Sequence, residues 1–148
     1  MPLTELLNEN NIIISLKSCD RDSVIREMVE YMSAASYVQN AEIVIKSILD
    51  RETMGSTGLD KGIAVPHTRT HEVSDLCVAL GISSDGVDYN ALDGEDSRLF
   101  FMILAPPDQS SQHIRILSEI AGISRNKEML NSLLNAQTVE DVLNQFRQ

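Results

Sequence analysis

Two uninterrupted apolar runs, Leu76–Ile82 and Leu99–Ala105, constrain this chain more than any other feature. Each is far shorter than the roughly 20 residues that a membrane-spanning helix needs. A half-exposed strand would alternate apolar and polar residues, whereas a continuous apolar run marks a strand buried on both faces. Such strands need a layer of covering structure on each side. The expected fold is therefore a single α/β domain over residues 1–148, with a central mixed β-sheet flanked by helices on both faces.

The flanking segments carry the helical period that this requires. After a short opening helix near Thr4–Asn8 and a strand over Ile12–Leu16, Val24, Ile25, Met28, Val29 and Met32 recur at helical spacing. Asp20 or Asp22 is placed to cap that helix. Asn40 is placed to cap the next, whose apolar face is Val44, Ile45, Ile48 and Leu49 and whose terminator is Gly55. Gly62–Val65 reads as a short strand stopped by Pro66, which lacks the N–H to continue a ladder. Gly86–Tyr89 reads as a short edge strand, and Asp93-Gly94 as a turn. Three helices close the chain. Ser110 or Ser111 is a candidate cap for the first, and Thr138 with Asp141 is spaced as a capping box for the last.

Charge and composition exclude several function classes. Twelve basic against twenty-two acidic side chains give a net charge of −10, the wrong sign for a phosphate-backbone binder. With three Tyr, three Phe and no Trp, a base-stacking surface is poorly supplied. An apolar content of 43% excludes a disordered chain. Cys19 and Cys77 form no CxxC, and the opening MPLTELLNEN lacks the basic and hydrophobic regions of a signal peptide. A cytoplasmic protein with reduced thiols, no membrane insertion and no nucleic-acid partner is expected. Glu72 through Asp96 holds seven acids and no Lys or Arg, and reads as a solvated face or a means of steering a basic partner.

Chemistry is concentrated in Arg51–Arg69, RETMGSTGLDKGIAVPHTR. This stretch combines three glycines, the hydroxyls of Ser56, Thr57 and Thr68, the cations Arg51, Lys61 and Arg69, and His67. A Gly-rich turn such as Gly55-Ser56-Thr57-Gly58 can present N–H groups to an anion, or it can be an ordinary turn. It is neither a Walker A loop, lacking Gly-Lys-Ser/Thr, nor a GxSxG elbow. His67, held at a strand end by Pro66, can act as a neutral nucleophile towards phosphorus or be an incidental surface residue. His113 opens a predicted helix, where free N–H groups favour an anion. His67 and His71 lie four apart, but the segment between them does not read as helix. No ligand set for a metal is spaced correctly, and no cofactor is implied. Cys77 and the Met28/Met32 pair read as core.

Taken jointly, Arg51-Glu52, Gly55-Ser56-Thr57-Gly58 and Gly62-Ile63-Ala64-Val65-Pro66-His67 resemble the signature of the fructose/mannitol-type IIA domains of the bacterial phosphoenolpyruvate–sugar phosphotransferase system. That family includes the nitrogen-regulatory IIA proteins. Ala105-Pro106-Pro107 through Gln112-His113-Ile114 resembles the family's second element, and the likeness covers nearly the whole chain. It implies an α/β sandwich with a mixed sheet. It also implies that His67 accepts a phosphoryl group from the phosphocarrier HPr and passes it to a separate IIB component, flanked by Arg51 and His113. The alternative is a regulatory protein whose phosphorylation state controls other proteins. Thr68-Arg69 departs from the pattern, since many relatives have a small residue after the histidine; Val65 for the commoner Ile is a minor swap. Phosphoryl transfer between side chains needs an in-line nucleophile and stabilised equatorial charge. By this resemblance Arg51, N–H groups around Gly55–Gly58 and the helix start at His113 supply that positive environment.

Overall fold

The computed structural model describes residues 2–147. The elements follow in the order α1 (Leu3–Leu6), β1 (Ile12–Ile13), α2 (Arg21–Ala34), α3 (Ala41–Glu52), β2 (Ile63–Ala64), β3 (His67–Arg69), β4 (Cys77–Val87), β5 (Ser97–Ala105), α4 (Ser110–Ser124), α5 (Lys127–Leu134) and α6 (Val139–Phe146). The two apolar runs become β4 and β5, which pair antiparallel from Cys77↔Leu104 to Ile82↔Leu99 at the centre of the sheet. β1 joins β4 in parallel, and β2 and β3 join β5 in parallel, so the sheet is mixed.

The period of two in β5 divides the interior into two cores. Leu99, Phe101, Ile103 and Ala105 meet Ile116, Ile120 and Ile123 of α4, Leu130 and Leu133 of α5, and Val142 and Leu143 of α6. Phe100, Met102 and Leu104 meet Val24, Ile25, Met28, Val29 and Met32 of α2 and Val44, Ile45 and Ile48 of α3. Helices thus cover both faces, as the continuous apolar runs require. Cys77 lies in the second core, where burial pushes its thiol up to about 12, while Cys19 is exposed; both are unpaired.

The expected caps are present at three helices. Asp20 accepts from the Ser23 N–H at 2.9 Å, Asn40 from the Ile43 N–H at 3.3 Å, and Thr138 with Asp141 forms a capping box. At α4 the cap residue is instead Gln109, and neither Ser110 nor Ser111 serves, because both already have helical positions. Gln109 is occupied elsewhere, accepting from the Leu76 N–H and donating to Asp75.

Other boundaries also differ. The opening helix is Leu3–Leu6 and β1 is only Ile12–Ile13, since Leu16 alone beyond it bonds back to the sheet, through Ile82. Gly86–Tyr89 is not a separate edge strand. β4 runs on through an irregularity after Ile82 to pair Val87 with Ser97, and Tyr89 leaves the sheet to be fully buried. Asp93-Gly94 does turn, with Gly94 at φ 75°.

Pro66 interrupts its strand without ending it. Ile63↔Leu99 and His67↔Ile103 share one register, and the Pro66 carbonyl still accepts from Ile103 N–H at 3.0 Å. A proline is tolerated there because this is an edge strand and its N side needs no partner. The edge strand therefore resumes at His67.

Candidate active site

Side-chain alternation along β3 sets the site. Ile63 and Val65 belong to the core beneath α4, so His67 and Arg69, two and four residues past Val65 in the same register, share that side. Thr68 turns the other way and bonds to Ser47 on α3. His67 is thus carried on an edge strand between two helical layers. α4 supplies His113 from one, and the last turn of α3 supplies Arg51 from the other.

The four side chains Arg51, His67, Arg69 and His113 line one open pocket of about 320 Å3, with Ile114 and Leu117 as its apolar wall and Thr68 at its base. Larger clefts of about 450 and 560 Å3 lie elsewhere, around Gln109 and around Glu27, but neither holds a histidine. The chemistry selects the smaller one.

His67 Nδ1 lies 2.6 Å from the Val65 carbonyl oxygen. A carbonyl only accepts, so Nδ1 carries a proton, and in the neutral ring the lone pair belongs to Nε2. The contact spans Pro66, joining the imidazole to the carbonyl two residues earlier along the same strand side.

His113 packs edge-on to His67, with ring centroids 5.2 Å apart and planes at 71°. It is buried, and among the described residues its Nε2 has no hydrogen-bond partner. Burial first, then His67 and Arg69, push its pKa down to about 4, so the ring is neutral near pH 7. Its backbone N–H is not free: it donates to Gln109 at 3.2 Å. The expectation of an unsatisfied helix-start N–H at His113 is corrected to a buried side chain, because His113 lies a full turn inside the helix.

Arg51 donates from Nη1 to the Gly55 carbonyl at 3.0 Å, across the turn where Gly55 takes φ 147°. That turn is anchored from below. Buried Glu52 accepts from the Thr57 N–H at 3.0 Å, from the Thr57 hydroxyl and from Tyr89 Oη at 2.9 Å. The Gly58 N–H is taken by Ser56 Oγ, and Ser56 Oγ itself donates to the Tyr89 carbonyl. The Thr57 and Gly58 N–H groups are therefore spent inside the loop and not presented to the pocket. Sequence alone does not mark Glu52 and Tyr89 as site residues. The Arg-Glu pair carried a signal for the first, whereas Tyr89 could be found only once the chain was folded.

His71 is exposed and lies outside the pocket lining. Lys61 points its backbone N–H to Asp93 and is likewise outside. Among the described residues no group of three or more His, Cys, Asp or Glu is placed to hold a metal ion, and no helix is long and apolar enough to cross a membrane.

Comparison with known proteins places the chain in a family. The chain is 36% identical over 148 residues to the PTS system fructose-specific EIIABC component of Bacillus subtilis (strain 168), covering 98% of this chain but only 23% of that protein's length. It is 32% identical over 136 residues to the PTS system fructose-specific EIIA component of Haloferax volcanii, covering 88% of each. The crystal structure of nitrogen regulatory protein IIA-Ntr from Neisseria meningitidis superposes with a TM-score of 0.89 at 26% identity, covering 97% of this chain and 98% of that one. Residues 5–148 match the family described as "phosphoenolpyruvate-dependent sugar phosphotransferase system, EIIA 2", and the chain belongs to that family.

Proposed function

We propose that this chain is a phosphocarrier: His67 accepts a phosphoryl group from phospho-HPr in the cytoplasm and passes it to a IIB component of a fructose/mannitol-type transporter. The observation that carries this reading is the 2.6 Å contact between His67 Nδ1 and the Val65 carbonyl, which assigns the lone pair of the neutral ring to Nε2 in a side chain that lines the pocket.

In the transfer, the Nε2 lone pair attacks phosphorus in line with the donor's P–N bond. As the new P–N bond forms, the old one breaks and its electron pair returns to the donor ring. The Nδ1 proton stays in place. The ring gains positive character, which the Val65 carbonyl dipole stabilises by accepting a stronger hydrogen bond from Nδ1–H. Arg51 supplies a guanidinium for the equatorial oxygens, and neutral His113 offers one ring N–H. The loop Gly55-Ser56-Thr57-Gly58 acts through the Gly55 carbonyl that orients Arg51. The reverse sequence, with the acceptor's side chain as nucleophile, discharges the protein. Donor and acceptor are both protein side chains, so the step balances without a further reactant.

Purified phospho-HPr, used without its own kinase and in EDTA, should label the wild-type chain with an acid-labile, base-stable adduct. His67→Ala should take none. Equal labelling of His67→Ala, or labelling lost in EDTA and restored by zinc, overturns the reading.

The likeness to the Neisseria meningitidis IIA-Ntr structure favours a second reading, a regulatory protein whose partners sense its phosphorylation. The 36% identity to a fructose-specific component favours the first. Discharge of the labelled protein by a fructose-type IIB protein separates them: the carrier is discharged, whereas the regulator keeps its label.

A further inference from the structure

We infer that Arg69 is a second phosphoryl-binding guanidinium, acting with Arg51 to clamp the group carried on His67; this rests on the phosphocarrier reading above. Arg69 and His67 are two apart on β3, so the strand period puts them on the same side, about 7 Å apart at Cα. Arg69 lines the pocket that holds His67, Arg51 and His113. The electrostatic effect of Arg69 on His113 is independent of that lining, although burial is the larger influence on that ring.

Its side chain is uncommitted. Arg21, Arg26 and Arg147 pair with carboxylates and Arg98 bonds two carbonyls, while Arg115 and Arg125, without such a bond among the described residues, lie outside the pocket lining. Among the described residues the Arg69 guanidinium has no ion pair and no hydrogen bond, and it is exposed at the pocket rim. In a chain of net charge −10, an unpaired arginine beside the proposed nucleophile stands against the prevailing sign. A phosphoryl group brings about two negative charges, and two guanidinium forks approaching from different elements, α3 and β3, can hold separate equatorial oxygens.

The neighbouring Thr68 makes this placement possible. Its hydroxyl is turned to Ser47 on α3, pinning the strand so that its other side faces the pocket.

The test compares Arg69→Gln, Arg69→Lys and, as a charge control, Arg125→Gln at the far end of α4. Labelling from phospho-HPr gives the rate. Phosphorus NMR of the labelled protein gives the titration midpoint of the phosphoryl group among Arg51, Arg69, His67 and His113. Loss of one charge-assisted contact should slow labelling by about tenfold in Arg69→Gln. It should also move the phosphoryl midpoint upward, because a nearby cation favours the dianion. Arg69→Lys should keep most of both effects, and Arg125→Gln should match wild type. If wild type is labelled at His67 while Arg69→Gln keeps its rate and phosphoryl midpoint, the inference is overturned and the phosphocarrier reading stands. If wild type takes no label, both are overturned.

Discussion

The hydroxyl of Thr68 on β3 meets the hydroxyl of Ser47 on α3, tying the strand that carries His67 to the helix that carries Arg51. Ser47 lies one helical turn before Arg51, and Thr68 is bonded directly to His67. This hydrogen bond is therefore one of the links that set the spacing between nucleophile and cation.

Breaking the pair from one side should cost more than removing it. Thr68→Val strands the Ser47 hydroxyl and should lower stability by about 1–2 kcal/mol, whereas Ser47→Ala leaves Thr68 its 3.3 Å bond to the Arg69 carbonyl and should cost about 1 kcal/mol. The double variant should cost less than their sum. Urea unfolding of the four proteins gives the coupling directly. Additive losses would mean the two hydroxyls do not communicate.

Arg51 should matter to transfer and little to folding. It ends α3 beside an exposed turn, and its side chain bonds only the Gly55 carbonyl among the described residues. Arg51→Ala should slow labelling of His67 by roughly 10- to 100-fold, the scale of one lost charged donor in a transition state. Its unfolding midpoint should hardly move. Arg51→Lys should restore part of the rate, since the point charge remains but the planar fork is gone. Wild-type transfer kinetics in a folded Arg51→Ala protein would remove it from the site.

His113 predicts a pH signature. Its pKa falls from 6.5 to about 4 on folding, so between those values the unfolded chain takes up a proton that the folded chain refuses. Its contribution is complete above pH 6.5, declines as the pH drops below that value, and is gone by about 4. His113→Gln keeps a donor and removes the titration, so its stability should fall less steeply than wild type across that window. Denaturant unfolding at pH 7, 5.5 and 4.5 measures the difference in slope. The same variant should retain substantial labelling at pH 7, whereas His113→Ala should slow it or shorten the life of the phosphorylated form.

The Glu52 network should be costly to open. Burial, with Glu52 adding to it, pushes the Tyr89 phenol well above its ordinary value, so it stays protonated as the donor to Glu52 Oε2. Tyr89→Phe leaves the buried carboxylate one donor short, a loss of about 1–3 kcal/mol. Glu52→Ala strands the Thr57 N–H and the Tyr89 hydroxyl together and should cost more than Tyr89→Phe. Thermal melts of both, with labelling rates measured on the folded fraction, check this. Slower transfer in folded Glu52→Gln would tie the network to Arg51 through the Gly55 turn.

Local pattern was enough for much of this protein. The runs at Leu76–Ile82 and Leu99–Ala105 dictated doubly covered strands, and the periodic faces of α2 through α6 dictated the covering helices. Asp20, Asn40 and Thr138–Asp141 placed helix starts, because a cap is a contact between residues three apart. The cap of α4 was not legible, since Gln109 is held by Asp75 and Leu76, more than thirty residues away.

The same division runs through the candidate site. By itself the sequence determined that the Arg51–His67 stretch is rich in groups suited to an anion, that Pro66 constrains His67, and that the whole resembles one family. Tertiary structure alone decided that His113 lies 5.2 Å from His67, that Arg69 shares their pocket, and that Thr57 and Gly58 spend their N–H groups inside the loop. Periodicity and capping are properties of neighbours along the chain and can be read there. Which side of an edge strand meets which helix depends on sheet register and on two separate cores, and those are settled only by contacts between residues distant in sequence.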